Sequence, residues 1–204
     1  MKLKQLEMAL QRLAGFPRPK AALEQYMTPA PLAARLLYHA LMKGDIAGKR
    51  VVDLGCGTGV LAIGAALLGA ASVTGADIDE GALAVARENA ALPGAEAGFL
   101  ALDLREGGCR ERIGPADTVV MNPPFGAQKA HADRPFIDCA LAIAPVTYGI
   151  FNAGSLPFVE AYIAGRGEVD EKVGGSFPIP RTFAFHTRDV QEISVEILRI
   201  VRAP

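Results

Sequence analysis

The feature that most constrains the fold is a short apolar strand that carries an acid and runs into a glycine-rich turn. The strand is predicted at 50–54, the turn reads Gly-Cys-Gly-Thr-Gly at 55–59, and a helical pattern follows through Leu68. Glycines in such a turn permit positive φ angles and let a ligand approach the backbone closely. The segment is typical of the first strand and helix of a ligand-binding α/β domain.

The rest of the chain continues this alternation of strands and helices. Further strands are predicted at 72–76, 97–102, 117–121, 146–151, 168–177 and 192–201. Further helices are predicted at 3–13, 29–42, 79–89, 135–144 and 155–164. Thr28 and Asp79 are expected to cap the helices that follow them. The pattern predicts a doubly wound, seven-stranded, Rossmann-like α/β sheet, mostly parallel, with a C-terminal antiparallel hairpin and N-terminal helices.

Length and composition limit the class of protein. A chain of 204 residues fits one domain, which we divide into a helical cap, 1–45, and a catalytic core, 46–204. Lys and Arg (21) nearly balance Asp and Glu (22), so no global positive field attracts nucleic acid. The beginning lacks the apolar core of a signal peptide, and the apolar run 60–73 is too short to span a bilayer.

The three cysteines give no sign of a metal site. Cys56, Cys109 and Cys139 lie far apart and form no C-x-x-C pair. This spacing predicts neither a zinc site nor a disulfide framework, and it favours reduced thiols in a cytoplasmic protein.

Polar residues lie at or next to the ends of four predicted strands. Asp53, Asp77, Asp103 and Asn122 each occupy such a position. Ligands of doubly wound sheets bind beyond the carboxyl ends of the strands. These four side chains therefore mark a predicted ligand site.

The glycine turn indicates which cofactor this site binds. A dinucleotide fingerprint requires G-x-G-x-x-G, whereas this turn reads G-x-G-x-G and has Val60 at the third fingerprint position. Because S-adenosylmethionine has no pyrophosphate, we expect that cofactor instead. Asp53 suits its ammonium group, Asp77 its ribose hydroxyls and Asp103 the adenine amino group. Ile78 is expected beside the adenine, and the backbone N–H groups at the start of the following helix near the carboxylate.

The acceptor is predicted from the segment Asn122-Pro123-Pro124-Phe125, which follows the fourth strand. Two prolines make this turn rigid and remove two N–H donors, so hydrogen-bond acceptors face the pocket. Acceptors on both hydrogens of an adenine amino group favour a more tetrahedral nitrogen, whose lone pair can attack a methyl group. Phe125 can stack on the base. The turn therefore predicts methylation of an amino nitrogen without a metal.

Other functions are compatible with parts of this pattern. An amide also donates two hydrogens, so N5 methylation of a protein glutamine is the nearest alternative, although Phe125 replaces the tyrosine usual in those enzymes. DNA amino-methylation would require a target-recognition domain. A NAD-dependent oxidoreductase and a non-enzymatic binding module are the alternatives from other classes.

The chain resembles a known family in three motifs. These are D-L-G-C-G-T-G-V-L from Asp53, N-P-P-F-G from Asn122, and L-E-Q-Y from Leu23 to Tyr26. Together they resemble the methyltransferase-like protein 5 family of small-subunit rRNA adenine-N6 methyltransferases, over nearly the whole chain. The L-E-Q-Y segment followed by Thr28 is the most specific of the three motifs.

The resemblance implies site residues and partners that the composition does not. It implies methylation of an adenosine in rRNA and a small zinc-containing methyltransferase activator protein as heterodimer partner. It implies that Asn122 to Phe125 hold the base. The implied cofactor contacts are Gln25, Thr28, Gly55, Thr58, Val60, Asp77 and Asp103, beside Asp53, Gly57 and Ile78 from the reasoning above.

Contact with RNA is expected from basic residues at two places. Positive side chains cluster before residue 21, and Lys129, His131 and Arg134 follow the acceptor turn. These are plausible phosphate contacts around a flipped-out base. The segment 183–189 departs from the family because it lacks the lysine-rich run expected there.

Overall fold

A computed structural model describes residues 1–126, 131–180 and 190–204. Within those residues, seven strands form one sheet. They are β1 Arg50–Leu54, β2 Ser72–Asp77, β3 Gly98–Ala101, β4 Thr118–Met121, β5 Val146–Asn152, β6 Gly167–Pro180 and β7 Val190–Arg202. Their order in the sheet is β3-β2-β1-β4-β5-β7-β6.

Helices precede the first strand and lie between later strands of the chain. They are α1 Leu3–Leu10, α2 Ala30–Met42, α3 Val60–Leu67, α4 Glu80–Ala91, α5 Cys109–Ile113, α6 Arg134–Ile143 and α7 Leu156–Ile163, with short 3₁₀ turns at Ala21–Leu23 and Leu104–Glu106. Among the described residues, no helix is long and apolar enough to span a membrane.

Strand order explains why the ligand site forms where it does. β1 pairs in parallel with both β2 and β4, so the order of the chain reverses beside β1. Leu54 pairs with Met121 at the carboxyl ends of β1 and β4. Gly55 follows β1 and Asn122 follows β4. The two loops that begin at these residues are therefore neighbours at the switch point of the sheet.

The predicted C-terminal hairpin is confirmed. β7 pairs antiparallel with β5 on one side and with β6 on the other. The chain thus places its last strand inside the sheet and leaves β6 at the edge. The seven-stranded, mostly parallel sheet predicted from the sequence is confirmed with it.

Two apolar clusters form the core, and successive strand residues alternate between them. Val51 and Val120 belong to the cluster that includes α1, α2 and α3. Val52 and Met121 belong to the cluster that includes α6 and α7. This period of two is what a sheet covered on both faces requires.

The prediction of helix caps was half right. Asp79 caps α4, and its Oδ1 accepts a hydrogen bond from the Gly81 backbone N–H at 3.0 Å. Thr28 is not the cap of α2, because Pro29 occupies that position. The Thr28 hydroxyl accepts a hydrogen bond from Asn122 instead. The short helix α5 was not predicted.

The expectation of reduced thiols was wrong for two of the three cysteines. Cys109 at the start of α5 and Cys139 in α6 form a disulfide, while Cys56 is free and buried. The two residues are 30 positions apart in sequence, and they meet because α5 packs against α6. The cysteines therefore give no support to the expectation that the protein lies in a reducing compartment.

Candidate active site

A cavity of about 250 Å³ opens at the carboxyl edge of the sheet, beside the loops that follow β1 and β4. Most of the predicted site residues line it: Gln25, Thr28, Asp53, Gly55, Gly57, Thr58, Val60, Asp77, Ile78, Asp103, Asn122 and Pro124. The other two predicted residues, Pro123 and Phe125, are not part of its lining. The structure therefore brings the cofactor residues and Asn122 to one cavity.

Asp53 lines the cavity with an unpaired carboxylate oxygen. Its Oδ2 accepts a hydrogen bond from the Ala62 backbone N–H at 2.9 Å, and its Oδ1 has no partner within the described part of the chain. The residue is only 1% exposed. Burial raises the pKa of Asp53 to about 8. A buried acid of this kind needs a partner, and a cationic ligand group fits.

Asp77, at the end of β2, fixes the glycine turn that follows β1. Its Oδ2 accepts a hydrogen bond from the Gly57 backbone N–H at 2.8 Å, and its Oδ1 accepts one from the Asp79 backbone N–H at 2.9 Å. Gly57 has a φ of 52°, in the left-handed region that glycine tolerates best. Burial raises the pKa of Asp77. The acid that was expected to bind ribose therefore also shapes the turn.

Two phenylalanine rings lie against the glycines of this turn, and sequence reasoning missed both. A Cβ at Gly57 would lie 2.7 Å from Phe16 Cζ, and a Cβ at Gly55 would lie 2.6 Å from Phe136 Cε1. Such distances leave no room for a side chain at either position. Phe16 comes from the N-terminal side of the domain and Phe136 from α6, so no local pattern could connect them with the turn.

Residues 14–29, here called the N-terminal segment, are tied to α4 by side-chain hydrogen bonds. Asn89 exchanges two hydrogen bonds with the Ala14 backbone, at 2.8 and 2.9 Å, and donates a third to the Thr58 carbonyl. Asp79 accepts hydrogen bonds from Lys20 Nζ at 2.9 Å and from Gln25 Nε2 at 2.7 Å. These contacts hold the segment against the cavity.

Asn122 is held by two side chains of the N-terminal segment. Its Oδ1 accepts a hydrogen bond from the Tyr26 hydroxyl at 3.1 Å, and its Nδ2 donates one to Thr28 Oγ1 at 3.0 Å. The Tyr26 ring also contacts the Phe125 ring, with centroids 5.7 Å apart. Tyr26 lines the cavity, whereas Phe125 packs against the apolar core.

Three further lining residues suit a nucleoside-containing ligand. Thr58 Oγ1 is buried without a hydrogen-bond partner in the described residues. Ile78 is 41% exposed, which leaves an apolar surface at the cavity. Asp103 accepts hydrogen bonds from the backbone and the guanidinium of Arg105, so a ligand would share its oxygens.

The expected RNA contacts are only partly described. His131 lines the cavity, and the Arg134 guanidinium lies over the rings of Phe158 and Tyr162, at 5.7 and 5.1 Å. Lys20, one of the N-terminal basic residues, pairs with Asp79. Lys129 and the segment 183–189 lie outside the described residues.

Fold and site together define a class of enzyme. The sheet order places the cavity at the switch point, and the turn there lacks the spacing for a pyrophosphate. The buried Asp53 oxygen fits an ammonium group, and the glycine turn with its positive φ angles lines the same cavity. This is the architecture of an S-adenosylmethionine-dependent class I methyltransferase.

Comparisons with known proteins narrow the class. A family model described as ribosomal protein L11 methyltransferase (PrmA) matches residues 34–123. The chain is 36% identical to the rRNA N(6)-adenosine-methyltransferase METTL5 of Danio rerio, over 98% of each protein. It is 41% identical to an uncharacterized protein of Methanocaldococcus jannaschii, over 98% of this chain and 94% of that protein.

A solved structure from Pyrococcus horikoshii, described as a proposed RNA methyltransferase, is also similar to this chain. It is 39% identical, has a TM-score of 0.91, and covers 100% of this chain and 99% of its own. The chain belongs to the METTL5 family of rRNA N(6)-adenosine methyltransferases. This membership excludes the oxidoreductase and the binding module considered from the sequence.

Proposed function

We propose that this protein methylates N6 of an adenosine in small-subunit rRNA, with S-adenosylmethionine as methyl donor. The observation that carries the proposal is that the Asn122 amide lies on the wall of the same cavity as Asp53 and Asp77. A hydrogen-bond acceptor for an amino group and acids suited to the cofactor thus share one space. The names of the METTL5 relatives supply the substrate class.

The proposed roles of the cofactor residues follow from their contacts. The unpaired Asp53 oxygen pairs with the ammonium group of the cofactor. Because the N–H groups of Gly55 and Gly57 already donate to Ala76 and Asp77, the backbone N–H groups at the start of α3 bind its carboxylate. Asp77 accepts from the ribose hydroxyls, Ile78 and Val60 supply apolar contacts, and Asp103 binds the adenine amino group. When bound, S-adenosylmethionine supplies a methyl group carried on a positively charged sulfur.

Gln25 and Thr28 act on the site through other residues of this chain. Gln25 hydrogen-bonds Asp79, which caps the helix next to Asp77 and Ile78. Thr28 hydrogen-bonds Asn122. Both residues line the cavity, so direct contact with the cofactor remains part of the proposal.

In the acceptor half, the residues of the Asn-Pro-Pro-Phe turn orient the target base. An amide oxygen has two lone pairs, so Asn122 Oδ1 can accept from the target amino group as well as from Tyr26. Pro124 shapes the wall of the cavity. The Pro123 carbonyl is proposed as the second acceptor and Phe125 as the ring that stacks on the base, and both would have to become accessible from the cavity when RNA binds, because neither lines it here. Because a methylated amino group releases its proton readily, positioning rather than a strong base is required.

The test is incubation of small-subunit rRNA with the protein and methyl-labelled cofactor, followed by nucleoside mass spectrometry. We expect labelled N6-methyladenosine at one position, and far less of it with Asn122→Ala in the same reaction time. A parallel reaction contains ribosomal proteins and release factors without RNA. Label on a glutamine in that reaction, with none in RNA, would replace the proposal by the glutamine alternative.

We further propose a small zinc-containing methyltransferase activator protein as heterodimer partner and a cytoplasmic location, as the family and the rRNA substrate suggest. The division into a cap, 1–45, and a core, 46–204, stays a prediction. Co-purification of the tagged chain from its native cells, with zinc analysis of the eluate, tests the partner. A chain that purifies alone and is fully active would contradict it.

A further inference from the structure

Tyr26 contacts both ends of the acceptor turn, although it lies 96 positions before Asn122 in sequence. Its hydroxyl donates to Asn122 Oδ1, and its ring contacts Phe125. The first and last residues of the turn therefore meet the same side chain. Among these three residues, Tyr26 and Asn122 line the cavity, so the contact between them lies at the site itself.

The two hydrogen bonds of Asn122 differ in how strongly they fix the orientation of its side-chain amide. Thr28 offers a hydroxyl that can donate or accept, so it tolerates either end of the amide. A tyrosine hydroxyl can also do both, but a phenol is a better donor and a poorer acceptor than an aliphatic hydroxyl, and here it donates to the amide oxygen. Burial raises the pKa of Tyr26, so the phenol keeps its proton at neutral pH. The donor from Tyr26 therefore selects the orientation of the amide.

The orientation of this amide matters for the reaction of the proposed function. A target amino group needs an acceptor, and an amide rotated by 180° would present its own NH₂ group instead. Two facing donors would repel the base from the reactive geometry. Correct orientation thus depends on a hydroxyl outside the Asn-Pro-Pro-Phe turn.

We propose that Tyr26 is the positioning residue that fixes the Asn122 amide with its oxygen towards the target amino group, which then shares that oxygen with the Tyr26 hydroxyl. The inference rests on the proposed function for its substrate. It assigns to the N-terminal segment a direct part in presenting the acceptor.

The test compares Tyr26→Phe with the wild-type protein. This variant keeps the ring against Phe125 and removes only the donor. We expect kcat to fall about 10- to 100-fold, since loss of one preorganised hydrogen bond at a site has effects of this order. The KM for RNA and the Kd for the cofactor should stay within about twofold.

Tyr162→Phe is the matched control. It removes another tyrosine hydroxyl, which donates to Asp138 at the surface, away from the cavity. Its kcat should equal that of the wild type. Equal kcat values for Tyr26→Phe and wild type would overturn the inference, while the proposed function would stand.

A second measurement does not depend on turnover. The side-chain NH₂ signals of Asn122 in a ¹⁵N-labelled protein, assigned by their absence in Asn122→Ala, report the environment of the amide. We expect them to shift or broaden in Tyr26→Phe and to stay in place in Tyr162→Phe. Unchanged signals in Tyr26→Phe would overturn the inference even if the rRNA proved not to be a substrate.

Discussion

The cavity has two halves, which we call the cofactor half, around Asp53 and Asp77, and the acceptor half, around Asn122. Their side chains are held in place in different ways. In the cofactor half, Asp53 and Asp77 bond to backbone N–H groups of the adjoining turn and helices, within twenty positions in sequence. In the acceptor half, Asn122 bonds to side chains more than ninety positions away. The two acids are thus held by local backbone contacts, whereas Asn122 depends on side chains of the N-terminal segment.

This difference has a consequence for mutation. A change in the cofactor half should alter the affinity for S-adenosylmethionine, because it alters the shape of the glycine turn. A change in the acceptor half should alter the rate of methyl transfer, because it alters how the target amino group is held and leaves the glycine turn unchanged.

The largest expected effect is that of Asn122→Ala. Loss of the acceptor should lower kcat by about 10²–10³-fold, as removal of one preorganised group does at other sites. Cofactor affinity, measured by calorimetry, should be unchanged. A large loss of affinity would show that the two halves are not separate.

Asp77→Ala should weaken cofactor binding by about 10- to 100-fold. The variant loses the acceptor proposed for ribose and the bond that holds Gly57, and hydrogen bonds to charged groups contribute roughly 1.5–3 kcal/mol. Titration calorimetry measures the change. Asp117→Ala, which removes an acid that bonds Arg50 outside the cavity, is the control and should bind normally. Unchanged affinity in Asp77→Ala would exclude the ribose contact.

The pH dependence of binding tests the role of Asp53. Its raised pKa, about 8, means that the free protein carries a neutral acid at pH 6–7. An ammonium group favours the carboxylate, so binding should release a proton, and affinity should rise by up to about tenfold per pH unit in this range. Titration calorimetry in buffers with different heats of ionisation measures the number of protons released on binding.

Asp53→Asn should lose most of this proton release. The same shift predicts stability in the opposite sense: a folded-state pKa above the unfolded value makes the free protein less stable as pH rises from about 4 to about 8. Thermal melts with and without cofactor should show both trends. A wild-type affinity that is flat across pH 6–7 would contradict the ammonium pairing.

The smallest expected effect is that of Lys20→Ala. The Lys20 side chain is 58% exposed and its pair with Asp79 lies at the surface, where ion pairs contribute about 0.2–1 kcal/mol. Gln25 keeps its own bond to Asp79. Cofactor affinity should change by less than about fivefold, and less still in high salt. A larger loss would mean that the N-terminal segment controls the cofactor half as well.

Local signals were sufficient to predict the sheet and to select the strand-end acids that line one cavity. β1 and its turn, the strand-end acids and the Asp79 cap all depend on residues close in sequence, so their patterns are visible in the chain. The role of Tyr26 was not visible, because it depends on a contact 96 positions away. The disulfide was missed for the same reason: only the packing of α5 on α6 brings Cys109 to Cys139. Thr28 was assigned to a cap because the pattern of a cap is local and its real partner, Asn122, is not.

The two phenyl rings against the glycine turn have a consequence for how this sequence can change over time. Gly57 meets Phe16, and Gly55 meets Phe136, at distances where an added methyl group would force the facing ring to move. A larger residue at either glycine is therefore easiest to accept when the facing ring becomes smaller in the same lineage. We expect each pair to vary together, so that the turn owes part of its shape to residues outside its motif.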